Sequence, residues 1–254
     1  LERDAEVAAL ARTVAEAAHG TARLVAVEGP AGIGKSRLVA EARRAAREGG
    51  MRVLTARGSE LEREFPFGVV RQLFEAAAAG PDGELLLQGS AGSTAPLFAP
   101  PADGGLDATF AVLHGLYWLT VNLSAEGPLM LAVDDLHWCD RPSLRFLAYL
   151  AHRLEGLPVV VVVSTRPNEP GAAQALIGEI AHDPLTTLVR PAPLSAGAAA
   201  ALIAARLGEQ PDEPFTTACV RATGGNPLLL HELVRALADE GVPPRESGVR
   251  VVAE

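Results

Sequence analysis

The chain has 254 residues, of which 48% are hydrophobic but only 4% aromatic, so a full-sized core must be built from Ala, Leu and Val. Its net charge of −9, from 31 acidic against 22 basic residues, argues against a broad electrostatic nucleic-acid surface. The two cysteines, Cys139 and Cys219, have no metal-ligand spacing, and no apolar run approaches a membrane span, so a disulfide framework and a membrane anchor are not expected and a reducing cytoplasm fits.

In chain order, residues 4–18 have helical spacing of small apolar residues. "TARLVAVEGP" reads as a buried strand, "SRLVAEARRAARE" as a helix stopped by Gly49 and Gly50, and "MRVLTARG" as a second strand. "FGVVRQLFEAAAAG" is a second amphipathic helix. Residues 80–105 are rich in Gly, Pro, Ala and Ser and predict a long surface excursion. A helix follows over 107–123, then a strand in "PLMLAVDD" and a helix in "RPSLRFLAYLAHRLE", with Pro142 near its start. "LPVVVVVSTRP" carries five consecutive valines, the pattern of a central strand buried on both faces. "GAAQALIGEIAH" is a helix and "LTTLVRP" a short fifth strand. After Pro191 only helices follow, in "SAGAAAALIAARLG", "EPFTTACVRAT" and "NPLLLHELVRALADEG". Residues 1–190 are therefore expected to form an alternating α/β domain with a parallel sheet, and residues 191–254 a small helical domain.

Between the first strand and its helix, Gly29, Gly34, Lys35 and Ser36 have the spacing GxxxxGK[ST]. Strand before and helix after is the context that gives this spacing meaning as a P-loop. Gly29, Gly32 and Gly34 permit backbone angles and close approaches that a side chain forbids. The loop from Gly29 through Pro30, Ala31, Gly32, Ile33, Gly34, Lys35 and Ser36 to Arg37 is then a cradle for the phosphates of ATP or ADP, aided by the positive end of the helix. Lys35 is the one lysine of the chain, which marks a place where the compact ammonium cannot be exchanged for arginine. It is expected on the β- and γ-phosphates, with the Ser36 hydroxyl on Mg²⁺.

Two adjacent carboxylates end the apolar run "LMLAVDD". Asp134 is expected to hold Mg²⁺ and Asp135 to orient or deprotonate the attacking water, a task for which an aspartate is one methylene shorter than a glutamate. The plainer reading of the pair is a cap on the next helix. For His137, Trp138 and Asp140 the alternatives are a place near the γ-phosphate or a subunit contact, against packing for Trp138 and helix capping for Asp140. Ser164, Thr165 and Arg166 end the valine strand at the edge where open α/β sheets bind ligands, and Arg166 is placed to stabilise phosphate charge.

"GPAGIGKS", "LMLAVDDLHWCD", "VVVVVSTRP" and "TGGNPLLLHEL", with the opening "ERDAE" and "ARGSELEREFPFGVVRQLFE", resemble the nucleotide-binding domain of the STAND class of AAA+-related ATPases, within it the large ATP-binding regulators of the LuxR family. The resemblance covers nearly the whole chain. It implies a P-loop NTPase sheet of five parallel strands in the order 5-1-4-3-2, with the helical domain as a lid. It places Arg3 and Asp4 near adenine, Pro227 by the base or ribose, and makes Arg166 a sensor arginine. It also implies an ATP-dependent switch whose nucleotide state controls self-association. DNA binding would belong to a further C-terminal domain, since nothing up to Glu254 reads as a helix-turn-helix and the chain is expected to be a fragment. Slow hydrolysis is the leading expectation. The alternatives are a phosphotransferase acting on a small acceptor, against which no separate acceptor pocket is identifiable, and a non-hydrolysing scaffold that holds ATP, against which Lys35, Ser36 and Asp134 are all intact.

Overall fold

The structure is a computed structural model and describes residues 2–99 and 109–253. The described residues divide into two compact units. The larger comprises Glu6–Glu28 and Ser36–Val189, and the smaller Leu1–Ala5, Gly29–Lys35 and Arg190–Glu254.

The larger unit is built on five strands: β1 Arg23–Glu28, β2 Arg52–Arg57, β3 Leu129–Asp134, β4 Val159–Thr165 and β5 Thr186–Val189. All pair in parallel, in the order β2-β3-β4-β1-β5, the expected order read from the other edge. All seven residues of β4 are buried, as its valine run requires of a strand covered on both faces. Alternation along β1 feeds two separate cores. Leu24 and Ala26 face one apolar cluster, Val25 and Val27 the other.

One face is covered by α1 Asp4–Ala18 and α2 Lys35–Glu48. In α1, Leu10, Val14 and Ala17 are buried at helical spacing, and Leu38, Val39 and Ala42 of α2 join the same cluster. The other face is covered by α3 Gly68–Ala78 and by three later helices, Phe110–Ala125, Arg141–Ala151 and Gln174–Ala181.

The stretch after α3 differs from the expected surface excursion. It forms α4 Gly83–Leu86, a 3₁₀ segment Gly89–Thr94 and α5 Ala95–Phe98. Leu86, Ala91 and Leu97 are buried in the main core, so tertiary docking overrides the loop-like composition. Residues 100–105 of that expectation, and the first two residues of the helix expected from 107, lie outside the described residues. The helices that follow are α6 Phe110–Ala125, α7 Arg141–Ala151 and α8 Gln174–Ala181.

In the smaller unit, α9 Ala196–Leu207, α10 Glu213–Thr223, α11 Pro227–Asp239 and α12 Val249–Ala253 share a core of Leu194, Ile203, Phe215, Leu230 and Val234. Ser195, Asp212 and Asn226 each cap one helix by accepting backbone N–H groups. Among the described residues no helix is long and apolar enough to cross a membrane.

Candidate nucleotide site

The loop leaves the buried strand β1 at Gly29 and enters α2 at Lys35, so a fixed strand and a helix N-terminus set its two ends. Gly32 and Gly34 have φ of 77° and 104°, left-handed values that strain any other residue. Three successive loop carbonyls are held by donors from the same unit. Ala31 O accepts from Asn226 Nδ2 at 2.7 Å, Gly32 O from the Leu228 backbone N–H at 3.3 Å, and Ile33 O from Arg3 Nη2 at 3.2 Å. All peptide bonds among the described residues are trans. A trans peptide opposes its carbonyl to the next N–H, so the N–H groups of Gly32, Ile33 and Gly34 are turned away from these clamps. N–H groups turned in this way at a helix N-terminus suit an anion nest.

Lys35 is buried, and its Nζ donates to the carbonyls of Gly29 and Pro30, both at 2.9 Å. The ammonium is thereby folded back along the loop. Ser36 is exposed in the first turn of α2, and so is Arg37, which pairs with Glu41. Arg3 also donates to Ala192 O at 2.7 Å, tying the N-terminal residues to the segment that precedes α9. Asp4 opens α1 and is exposed, and Pro227 is the first residue of α11, where its missing N–H costs nothing.

In the larger unit the two aspartates lie at the carboxyl ends of the strands but in different conformations. Asp134 ends β3, and its Oδ1 accepts from the Ser164 hydroxyl in β4. Asp135 sits beyond the strand at φ 54° and is buried. The same Ser164 oxygen accepts the Asp135 backbone N–H at 3.0 Å, so one buried hydroxyl holds both residues. The Asp135 carboxylate does not cap a helix. Its Oδ2 takes two hydrogen bonds from Arg57, from Nε at 3.0 Å and Nη2 at 2.9 Å, and its Oδ1 lies 3.9 Å from His137 Nε2.

Arg57 ends β2, and the strand register sets it opposite Asp134. Gly58 follows because nothing larger fits. A Cβ there would lie 2.3 Å from Asp135 O and 3.0 Å from Cys139 N. Sequence reading missed Arg57 as a site residue. The available signal was the strand order, which makes β2 the neighbour of β3 and brings their last residues together. Asn226 was missed too, and its link to the loop spans 195 positions.

The residues after Asp135 make contacts within the fold. His137 is fully buried, and its Nδ1 accepts the Arg166 backbone N–H at 3.3 Å. Asp140 caps α7 through Ser143 N and also accepts the N–H groups of Phe67 and Val69, fastening α3 to α7. Arg166 lays its guanidinium over the Trp138 ring, 4.7 Å from the centroid, and pairs with Glu169 at 3.6 Å. Thr165 is buried at the end of β4. Among the described residues no group of three His, Cys, Asp or Glu side chains is arranged to hold a metal. Mg²⁺ in nucleotide sites needs no such cage, since it takes one or two carboxylates with phosphates and waters, which Asp134 and the Ser36 hydroxyl suit.

Comparison with known proteins agrees with this architecture. The family model described as an AAA ATPase domain matches residues 1–163. Among solved structures, the ORC1 protein of Aeropyrum pernix in complex with DNA superposes with a TM-score of 0.55 at 17% identity, covering 99% of this chain and 64% of that one. A STAND protein with a tetratricopeptide repeat sensor from Pyrococcus horikoshii gives 0.54 at 19% identity, over 91% of this chain and 29% of that one. Drosophila ORC bound to DNA gives 0.58 at 16% identity, over 100% and 60%. At these identities the likeness is one of fold alone, and this chain spans less than two thirds of each of these proteins. No curated protein matches. The family match covers more than half of the sequence, and the chain belongs to the AAA ATPase domain family.

Proposed function

We propose that the chain binds ATP with Mg²⁺ and works as a slowly hydrolysing switch module. The observation that carries this reading is the loop itself. Three consecutive N–H groups, of Gly32, Ile33 and Gly34, are each turned away from a clamped loop carbonyl just before α2, next to the buried Lys35. A bound β/γ-phosphate would draw Lys35 Nζ off the carbonyls of Gly29 and Pro30, exchanging two neutral acceptors for charged ones. Ser36 and Asp134 would hold Mg²⁺, which neutralises phosphate charge when bound. Asp135 would take the proton of the attacking water, and Arg166 would stabilise charge on the transferred group. Arg3, Asp4 and Pro227 would lie by the base.

Slow turnover follows from the Asp135 carboxylate, whose Oδ2 is occupied by Arg57. In the full proposal, residues 1–190 are the ATPase domain and residues 191–254 its lid, within a LuxR-type transcriptional regulator whose nucleotide state sets self-association. DNA binding would then lie outside this segment. Equilibrium binding of ATP and ADP and steady-state phosphate release test the reading, on the wild type and Lys35→Ala. The variant is expected to lose ATP binding by at least roughly 100-fold, because the charge-assisted partner of the phosphates is gone. Undiminished binding in Lys35→Ala would falsify the loop assignment. Appearance of the phosphate on a small acceptor instead of in water would identify a phosphotransferase.

A further inference from the structure

Asn226 performs two tasks with one side-chain amide. Its Oδ1 accepts the N–H groups of Leu228 at 3.0 Å and Leu229 at 3.4 Å, capping α11. Its Nδ2 donates to Ala31 O of the phosphate loop at 2.7 Å. The orientation of the amide is fixed by chemistry, since turning it over would set an oxygen against the Ala31 carbonyl and an NH₂ against two N–H donors. The neighbouring peptide is fixed the same way, because Leu228 N–H reaches Gly32 O at 3.3 Å. The approach is close enough that a Cβ on Gly32 would lie 2.6 Å from Leu228 Cβ and 2.7 Å from Asn226 Oδ1. Leu228 and Leu229 are themselves half exposed, so Leu230 alone of these three leucines packs into the core, and polar contacts tie this first turn of α11 to the loop.

We infer that Asn226 is a positioning residue that couples the phosphate loop to helix α11. A peptide turned to present its N–H to a phosphate presents its carbonyl to Asn226, so loop occupancy and the seating of α11 favour the same arrangement. By linkage the coupling is reciprocal: a seated α11 raises nucleotide affinity, and bound nucleotide steadies α11. The inference rests on the loop being a nucleotide site, as proposed above.

Asn226→Ser separates the two tasks. Serine is as good a helix cap as asparagine but is too short to reach Ala31 O. Asn226→Asp is a second variant that retains both capping contacts and removes the donor. Each is measured by ATP affinity, by thermal midpoint without nucleotide, and by hydrogen exchange at the amides of residues 228–231 with and without ATP. In the wild type, ATP is expected to slow exchange at these amides. In Asn226→Ser the midpoint is expected to stay within a few degrees of wild type. ATP affinity should fall roughly five- to tenfold, the size of one lost hydrogen bond, and the exchange response to ATP should vanish. In Asn226→Asp the exchange response should vanish as well. Wild-type affinity and an intact exchange response in both variants overturn the inference while leaving the loop assignment standing. A wild type that binds no ATP overturns both.

Discussion

Arg57 donates through both Nε and Nη2 to a single oxygen of Asp135, Oδ2, at 3.0 and 2.9 Å. The pair joins the last residue of β2 to the residue after β3, and it is asymmetric in exposure. The Arg57 side chain is 69% exposed, whereas that of Asp135 is 8% exposed. Removing the arginine therefore lets water replace it, and the cost should sit near the surface-pair end, about 1 kcal/mol, rather than the several kcal/mol of a fully buried pair. The functional effect should be larger than the structural one. With Oδ2 released, the carboxylate can turn toward a water. Arg57→Ala is expected to raise phosphate release about three- to tenfold with ATP affinity within twofold of wild type. Release that is unchanged or lower would mean that Arg57 does not restrain Asp135.

Replacing Asp135 itself should do the opposite. Asparagine tolerates the left-handed backbone at φ 54° and is isosteric, so Asp135→Asn should fold and keep ATP affinity. Without a carboxylate to take a proton, phosphate release is expected to fall by about 100-fold or more. Asp135→Ala should in addition lose about 1 kcal/mol of stability from the left-handed backbone alone, measurable by urea unfolding. Equal turnover in Asp135→Asn and wild type would remove this residue from the reaction.

What could be read in advance depended on the range of the interaction. The loop from Gly29 to Ser36 was legible because its chemistry is encoded in contiguous residues between a strand and a helix. The burial of β4 was legible because five valines leave no polar face. Residues 83–98 were not, since their Gly, Ala and Ser content has no period and Leu86, Ala91 and Leu97 find their places only by docking into the core. Arg57 and Asn226 were not, because each acts on a residue that only the assembled fold brings near, 78 and 195 positions away. The sheet order came from family resemblance rather than from any pattern in the strands.

Ser164 is the second restraint on the aspartate pair. Its buried hydroxyl donates to Asp134 Oδ1 and accepts the Asp135 N–H at 3.0 Å. Ser164→Ala leaves both partners without that contact, and the buried Asp135 N–H is poorly placed to find water in its stead. The expected loss is about 1–3 kcal/mol by chemical denaturation. Asp134 should also become less well oriented for its metal, so the Mg²⁺ concentration that half-saturates phosphate release should rise several-fold. A stability loss with no change in Mg²⁺ dependence would confine Ser164 to a structural role.

The cysteines supply a prediction about alkaline pH. Burial, with the carboxylates of Asp140 and Asp135 adding to it, pushes the Cys139 thiol far above its ordinary range. Burial alone pushes Cys219 up to about 11 from an ordinary value of 9.0. The thiolate is the nucleophile, so neither cysteine of the folded protein should react readily with alkylating reagents at pH 8, and both should react on unfolding. The same shift acts on stability. Between the ordinary value and the folded one, the unfolded chain has lost the proton that the folded chain retains, so stability falls as pH rises. For Cys219 the loss between pH 9 and pH 10 should be about 1 kcal/mol. Urea unfolding of wild type and Cys219→Ala at both pH values checks this. The decline should be shallower in the variant by about that amount, and identical declines would show that the Cys219 thiol ionises as readily folded as unfolded.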